Sequence, residues 1–170
     1  MVIRELLSRF ARMEVARMAI GNLELKVEME LLRSLTSCDF IAVAPLQDNK
    51  ASNGWIYALG NENERFQHMT IKIGVGLAGA ALRYGREVKL DDTHPRMSQE
   101  RLNCPVMLAE HLQTAAVFPI RDHDSPLIKG LLYIGKRQQA RFDPDELLAV
   151  QDKINRIASL LEDIKEEIAK

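Results

Sequence analysis

The chain has 170 residues, a formal net charge of −1 and a hydrophobic fraction of 46%. This length and composition predict one domain with appended helices and a sizeable core. The balanced charge argues against nucleic acid as a partner, and the sequence shows neither a signal peptide nor an apolar run long enough for a membrane span. We therefore expect a cytoplasmic protein with no membrane partner.

The two cysteines, Cys38 and Cys104, are far apart in the sequence and form no C-x-x-C motif. This arrangement gives little support to a metal site or a redox motif. We interpret both cysteines as small buried hydrophobic residues, and we expect no metal ion and no cofactor.

Residues 2–35 carry an apolar stripe that recurs every three or four positions, which predicts one or two amphipathic helices. Gly21 and Asn22 predict a kink or a break within this segment. The stripe packs on its own domain or forms the contact between two copies of the chain. Its members are Leu6, Phe10, Met13, Ala16, Ile20, Leu23, Val27, Leu31 and Leu35.

Strands are predicted after this helical segment. Residues 40–46 form an apolar run typical of a strand that is buried on both faces, and residues 55–60 predict a second strand that pairs with it as a hairpin. Trp55, the one tryptophan of the chain, is interpreted as a core residue or as the wall of a pocket. Residues 61–67 predict a polar loop, and residues 69–73 predict a short strand.

A glycine-rich turn comes next. Gly74 and Gly76 precede an apolar run that Gly85 ends, which predicts a tight turn followed by a helix of about two turns. The first N–H groups of such a helix lack partners and, together with the helix dipole, form an anion site. The pattern lacks the Gly-Lys-Ser/Thr of a P-loop and the acidic residue of a dinucleotide-binding unit. A structural turn without a ligand is the alternative interpretation.

A second helix start is predicted further along the chain. Residues 86–90 predict a strand, residues 91–95 a loop of turn-forming Asp and Pro, and residues 97–103 a short helix. Pro105 then stands at a favoured first-turn position, so another helix begins after Cys104. Its free N–H groups form a second set of backbone donors.

The last part of the sequence predicts a hairpin and a long helix. Residues 114–120 and 128–135 are the strands, and His123 in the polar turn between them is expected to be solvated. Asp143 and Glu146 predict a capping box at the start of the final helix. A heptad seam follows, and together with the N-terminal stripe it favours a helical bundle across a dimer axis. The seam consists of Leu147, Val150, Ile154, Ile157, Leu161, Ile164 and Ile168.

Residues 74–92 resemble the signature of GAF domains, in which a G-x-G-x-x-G turn and helix are followed by a glycine, a strand and an aspartate. Residues 114–120, 128–134 and 142–148 are similar to the closing part of that pattern. The resemblance covers about residues 34–161. It implies an α/β (α+β) GAF fold with an antiparallel sheet flanked by helices, and with long N- and C-terminal helices that form a bundle. The predicted single domain of residues 1–170 comprises a helical segment at 1–35, the GAF core at 36–142 and the C-terminal helix at 143–170.

Known GAF subfamilies make different demands on these residues. Cyclic-nucleotide binders carry an asparagine where Gly135 stands, although Lys136 and Phe142 match their pattern. Free methionine-(R)-sulfoxide reductases hold a reactive cysteine in an Ala-Cys-Asp context, whereas Cys104 lies in an Asn-Cys-Pro context. A reductase that uses Cys104 is one alternative function, and a ligand-free dimerisation module is another.

The chain most resembles the small stand-alone GAF nitrate receptors that modulate a two-component sensor histidine kinase. In this resemblance Trp55 matches a tryptophan of the early hairpin, and Cys104 replaces an aromatic residue at the start of a later helix. The resemblance implies a sensor without catalytic residues, which forms a homodimer through its terminal helices. The implied nitrate site consists of Trp55, Gly76, Leu77, Ala78, Cys104, Pro105 and Val106.

The chemistry of the two predicted turns agrees with a small monovalent anion. Neither turn contains Arg or Lys, so a buried divalent phosphate or sulfate would lack a paired cation. Nitrate is flat and singly charged, and a few N–H bonds in a dry pocket offset its desolvation. Such a pocket selects for charge and size, so nitrate, nitrite, formate and chloride all remain candidates.

Overall fold

The structure is a computed structural model that describes residues 2–47, 53–121 and 125–169, so His123 lies outside the described residues. The side chains of residues 14–21 and 165–169 are also outside the description. The α-helices are α1 (Val2–Thr36), α2 (Gly76–Tyr84), α3 (Met97–Leu102), α4 (Pro105–Ala109) and α5 (Pro144–Ala169). The strands are β1 (Phe40–Pro45), β2 (Asn53–Gly54), β3 (Tyr57–Leu59), β4 (Thr70–Ile71), β5 (Val88–Leu90), β6 (Thr114–Arg121) and β7 (Ile128–Lys136). In the described ranges, none of the helices combines the length and the apolar character needed to cross a membrane.

Five strands form one antiparallel sheet in the order β3-β1-β7-β6-β5, and β2 pairs with β4 in a separate two-stranded sheet. Strand β7 is central, and its residue Tyr133 lies opposite Ala42 of β1 and Val117 of β6. Helices lie on both faces of this sheet. The predicted fold class, an antiparallel sheet flanked by helices, is therefore confirmed.

Successive side chains of the sheet enter two separate cores, because side chains alternate between the faces of a strand. Ile41 and Leu132 belong to the core that includes buried residues of α1 and α5. Phe40 and Tyr133 belong to the core that includes buried residues of α2 and α4. The sheet thus separates two long helices from the layer of short helices and turns that contains the candidate site.

Helices α1 and α5 pack against each other along the first of these faces, which confirms that the terminal helices form a bundle within the chain. The predicted dimer axis stays a prediction. Val150, Ile157 and Leu161 of the predicted heptad seam are buried there. The side chain of Ile168 lies outside the description. The buried part of the seam therefore packs on the sheet and on α1 of its own chain.

The face of α1 that contacts the domain differs from the predicted apolar stripe. Leu25, Met29 and Leu32 are fully buried, whereas Leu23 and Val27 are 62% and 59% exposed. Both sets repeat with helical spacing, and the sheet and α5 bury only one of them. The interpretation that the stripe packs on its own domain is therefore wrong. Its exposed members are Leu6, Phe10, Met13, Leu23, Val27, Leu31 and Leu35, while the side chains of Ala16 and Ile20 are not described.

Three local predictions differ from the structure. Helix α1 continues through Gly21 and Asn22 without a break. The strand predicted at residues 55–60 is shorter, because only β3 (Tyr57–Leu59) lies within it. Trp55 lies between β2 of the small sheet and β3 of the large one, so the chain changes sheet there. Part of the loop predicted at residues 61–67 forms a 3-10 helix.

The start of α5 shows the contact that the capping box predicts. A carboxylate oxygen of Glu146 accepts a hydrogen bond from the backbone N–H of Asp143 at 2.8 Å. The same oxygen pairs with Nζ of the buried Lys136 at 2.8 Å, and this ammonium group lies 4.8 Å from the centroid of the Phe142 ring. These contacts hold the start of α5 against the end of β7.

Candidate functional site

The glycine-rich turn leads into α2 and leaves the N-terminus of that helix open. The first helical hydrogen bond runs from the N–H of Gly79 to the carbonyl oxygen of Val75 at 3.1 Å. The N–H groups of Gly76, Leu77 and Ala78 precede this bond, so they have no partner within the helix. They form the set of backbone donors that the sequence predicts, and the N–H of Leu77 also interacts with the sulfur of Cys104.

Helix α4 begins in the same way directly beside α2. Its N-cap is Cys104, its first residue is Pro105, and the N–H of Leu108 donates to the carbonyl oxygen of Cys104 at 3.2 Å. The N–H groups of Val106 and Met107 therefore lack partners within the helix.

The two helix starts are in close contact through Gly76, which has a φ of +66°. A Cβ atom at this position would lie 3.0 Å from the carbonyl oxygen of Asn103 and 3.9 Å from Cα of Cys104. A side chain at Gly76 would strain the backbone and push α4 away. Glycine is therefore required for the convergence of the two N-termini.

A cavity of about 40 Å³ lies between these helix starts and the sheet. All seven predicted site residues line it. This volume corresponds to roughly three water molecules, so it suits a small ion and excludes a nucleotide or a tetrapyrrole. The lining residues are Trp55, Met69, Thr70, Ile71, Val75, Gly76, Leu77, Ala78, Cys104, Pro105, Val106 and Tyr133.

A larger depression of about 510 Å³ lies at the surface beside residues 94–99, and all of its lining residues come from that one stretch. Within the same loop, Asp91 accepts a hydrogen bond from the N–H of Thr93 at 2.9 Å, and Nδ1 of His94 accepts one from the N–H of Arg96 at 3.0 Å. These contacts stabilise turns. The loop therefore shows the turn geometry that the sequence indicates and no arrangement for acid–base chemistry.

Tyr133 is a lining residue that the sequence reasoning missed. Its ring meets Trp55 edge to face, with the centroids 5.4 Å apart. Its hydroxyl is buried and has no hydrogen-bond partner among the residues that the structure describes. The one available signal was a lone tyrosine within the apolar run of the second hairpin, and that run does not reveal which face of the sheet the ring occupies.

The cavity is electrostatically neutral at its surface, because none of the described lining residues carries a charged side chain. Burial raises the pKa of the Cys104 thiol, and the backbone N–H of Leu77, which interacts with the sulfur, partly offsets that rise. The thiol donates to the carbonyl oxygen of Glu100 at 3.3 Å. Cys104 therefore stays protonated and adds no negative charge to the cavity.

A half-buried positive group, Arg101 of α3, lies outside this lining. Arg101 donates from Nε to the carbonyl oxygen of Leu112 at 2.8 Å. Burial raises the pKa values of Tyr133 and Cys104, and the positive charge of Arg101 opposes both rises. The charge of Arg101 therefore acts on two lining residues of the cavity. In the described part of the chain, no group of three or more His, Cys, Asp or Glu residues is arranged to hold a metal ion.

The family model of the GAF domain matches residues 24–161 of the chain. The chain belongs to the GAF domain family. Comparison with curated proteins found no match.

Solved structures of other GAF proteins are similar to this one. A NreA protein from Staphylococcus aureus, mutated in its nitrate-binding site, is 26% identical, with 76% of this chain and 93% of that chain covered and a TM-score of 0.61. A hypothetical protein from S. aureus is 28% identical, with 67% and 92% covered and a TM-score of 0.55. The predicted resemblance to nitrate-sensing GAF proteins is thus confirmed at the level of structural similarity.

Enzymes with the GAF fold are also similar. A type II free methionine-R-sulfoxide reductase from Thermoplasma acidophilum is 16% identical, with 86% of this chain and 94% of that chain covered and a TM-score of 0.65. At this identity the likeness shows a shared fold and carries no information about activity.

Proposed function

We propose that this GAF domain binds nitrate, as a small monovalent anion, between the starts of α2 and α4, and that it acts by contact with a sensor histidine kinase in the cytoplasm. The observation that carries the proposal is the small cavity in which two helix N-termini converge without a charged lining residue. Neutral N–H donors and positive helix ends stabilise one negative charge. A similar solved structure is that of a NreA protein mutated in its nitrate-binding site, and this similarity favours nitrate among such anions.

The neutral lining selects against divalent anions. Burying an ion costs free energy unless it is paired or fully hydrogen-bonded, and this cost rises steeply with charge. Sulfate or phosphate would need a cation in contact, and Arg101 is not among the residues that line the cavity. A weakly hydrated monovalent anion satisfies the same donors at a much lower desolvation cost.

The proposed signal depends on the coupling between nitrate binding and kinase binding, and it requires no catalytic residue. A ligand that favours one arrangement of the domain changes the affinity for any partner that distinguishes the arrangements. The start of α4 contacts the anion site, and its other end is held to the sheet. There the carbonyl oxygen of Glu110 accepts a hydrogen bond at 2.9 Å from Arg137, the residue that follows β7. This connection provides a physical route from the ligand to the sheet and its terminal helices.

Isothermal titration calorimetry with nitrate tests the proposal, with chloride, nitrite and sulfate titrated in parallel. Ala78→Pro removes one N–H donor from the first turn of α2, where proline is tolerated, while the matched Ala78→Gly keeps that donor. We expect saturable nitrate heat with the wild type and with Ala78→Gly, and a loss of that heat with Ala78→Pro. Absence of nitrate heat from folded wild-type protein would overturn the proposal.

The reductase alternative depends on Cys104 as a nucleophile. Reactive cysteines have lowered pKa values in exposed, electropositive sites, whereas the Cys104 thiol is buried, has a raised pKa and donates to Glu100. These features disfavour a thiolate. Turnover of free methionine sulfoxide that disappears in Cys104→Ser would nevertheless establish the enzyme in place of the sensor.

The proposed sensor forms a homodimer through its terminal helices. Among the described side chains, the exposed stripe of α1 occurs in two parts of the helix, and Phe10 and Met13 of the first part are 65% and 69% exposed. Apolar patches of this extent mark interaction surfaces. A second copy offers an identical stripe, which a two-fold axis brings into register.

A further inference from the structure

We propose that the hydroxyl group of Tyr133 donates a hydrogen bond to the bound anion, so that this tyrosine is a specificity-determining side chain of the site. The inference rests on the proposed nitrate function and adds a side-chain donor to the backbone donors of the two helix starts.

The hydroxyl group of Tyr133 is unpaired in the described structure. Tyr133 is 1% exposed, and its oxygen has no hydrogen-bond partner among the described residues. By contrast, the Tyr57 hydroxyl donates to Oδ1 of Asn22 at 2.7 Å. Buried polar groups are nearly always hydrogen-bonded, and leaving one unpaired destabilises the fold. An orphan donor in the lining of a ligand cavity is explained when the ligand is its partner.

The phenol of Tyr133 lies at the candidate site. Tyr133 lines the cavity together with Trp55 and Cys104, and it interacts electrostatically with both Cys104 and Arg101. Arg101 has the sign that attracts an anion. Because Cys104 is the N-cap of α4, Tyr133 shares this cavity with the start of that helix.

The ring of Tyr133 is held rigidly by its neighbours. Tyr133 belongs to the central strand β7, and two aromatic rings hold its ring edge to face. The centroid distances are 5.4 Å to Trp55 and 5.9 Å to Phe40, with interplanar angles of 84° and 78°. A donor fixed in this way loses little conformational freedom when a ligand binds.

The protonation state agrees with this role. Burial raises the pKa of Tyr133 well above its usual value. The phenol remains neutral at physiological pH and can donate to an anion without repelling it. Hydrogen bonds to a charged acceptor are stronger than those between neutral groups.

Tyr133→Phe removes the hydroxyl with almost no change in shape, and Tyr57→Phe is the matched control outside the cavity. Calorimetric titration should show nitrate affinity reduced about tenfold or more in Tyr133→Phe and unchanged in Tyr57→Phe, as expected for the loss of one hydrogen bond to a charged group. Without nitrate, the unfolding midpoint of Tyr133→Phe should equal or exceed that of the wild type, because the variant loses an unpaired group. Tyr57→Phe should unfold at a lower temperature, because it loses a formed bond.

Nuclear magnetic resonance of the wild type gives a second measurement that needs no variant. The hydroxyl proton of Tyr133 should shift downfield when nitrate is added, while that of Tyr57 stays in place. Wild-type nitrate affinity retained in full by Tyr133→Phe, or a Tyr133 resonance insensitive to nitrate, overturns this inference and leaves the proposed function standing. No nitrate binding by the wild type overturns both.

Discussion

The indole of Trp55 and the ring of Tyr133 meet edge to face, with their centroids 5.4 Å apart and their planes at 84°. This pair joins the junction between the two sheets to the central strand of the larger one. Trp55 is 4% exposed and is the only tryptophan of the chain. Its fluorescence therefore reports on the candidate site alone.

Nitrate should change the emission of Trp55 in a saturable way, because an anion in the cavity alters the charge next to the indole. Collisional quenching should contribute little, since the indole is almost fully buried. Fluorescence titration checks this, with free tryptophan in the same nitrate solutions as the correction for absorption. A change that rises linearly with nitrate and matches free tryptophan would contradict a site beside Trp55.

Arg101→Gln should weaken nitrate binding several-fold while the protein stays folded. The positive charge of Arg101 acts on the lining residues Tyr133 and Cys104, and such an interaction near a protein surface is worth about 1 kcal/mol or more. Arg96→Gln, at an exposed position on the neighbouring loop, is the control and should bind as the wild type does. Calorimetry in low and moderate salt measures the difference. Equal losses in both variants would indicate a general effect of net charge.

The sequence predicted those parts of the site that depend on local chemistry. The glycine pattern before Leu77 specifies a turn and a helix start, and Pro105 specifies another. Both lie where expected, since backbone geometry at glycine and proline is set by the residue itself. The same applies to the start of α5, where Glu146 makes its predicted contact with Asp143.

Features that depend on tertiary packing could not be predicted in this way. Two apolar stripes run along α1, and the sequence does not reveal that the sheet and α5 cover Met29 and leave Val27 exposed. The central strand β7 is apolar on both faces, so no alternation shows that Tyr133 enters the cavity. The exchange between sheets at Trp55 likewise depends on strand partners that are distant in sequence.

Arg137→Met should lower the free energy of unfolding by about 3–5 kcal/mol. The guanidinium donates to the carboxylate of Glu110 at 2.8 Å and to the carbonyl oxygen of Gly60 at 2.9 Å, and Glu110 is only 1% exposed. Removal of the cation leaves a buried carboxylate whose remaining hydrogen bond comes from the backbone N–H of Glu62 at 2.7 Å. Arg141→Met is the matched control, because its partner Asp92 is exposed and such pairs contribute little.

Urea denaturation of both arginine variants at pH 7 measures these effects. The Arg141→Met curve should lie close to that of the wild type. Similar midpoints for the two variants would mean that the Arg137–Glu110 pair does not stabilise the fold.

The stability of the protein should fall between pH 9 and pH 11 because of Cys38. Burial raises the pKa of this thiol from 9.0 to about 11, although a hydrogen bond with Thr36 opposes the rise. The unfolded chain releases the proton at the lower pH, so the contribution is fully present below pH 9 and is lost as the pH rises through the folded value. The expected loss is about 2–3 kcal/mol.

Urea denaturation at pH 8, 10 and 11, with Cys38→Ala as the reference, isolates this contribution. Other groups that titrate affect both proteins equally, so only the difference between the curves matters. A difference that stays constant across this range would rule out a raised thiol pKa at Cys38.

Leu23→Glu combined with Val27→Glu should convert the proposed dimer to a monomer. Both side chains are more than half exposed on α1 and belong to the stripe that a second copy would cover. In an apolar helix interface these carboxylates have no hydrogen-bond or charge partners. They also repel the identical carboxylates of the second copy across the two-fold axis. Lys26→Glu, on a different exposed side of α1, is the control for the change in charge.

Sedimentation velocity over a range of concentrations measures the assembly state. The wild type and Lys26→Glu should sediment as dimers, and the double variant as a monomer with an unchanged circular dichroism spectrum, because the substituted side chains make no core contacts. A wild type that sediments as a monomer at all concentrations would exclude the homodimer, and the stripe would then be a surface for a different partner. A dimer that persists in the double variant would place the interface elsewhere on the domain.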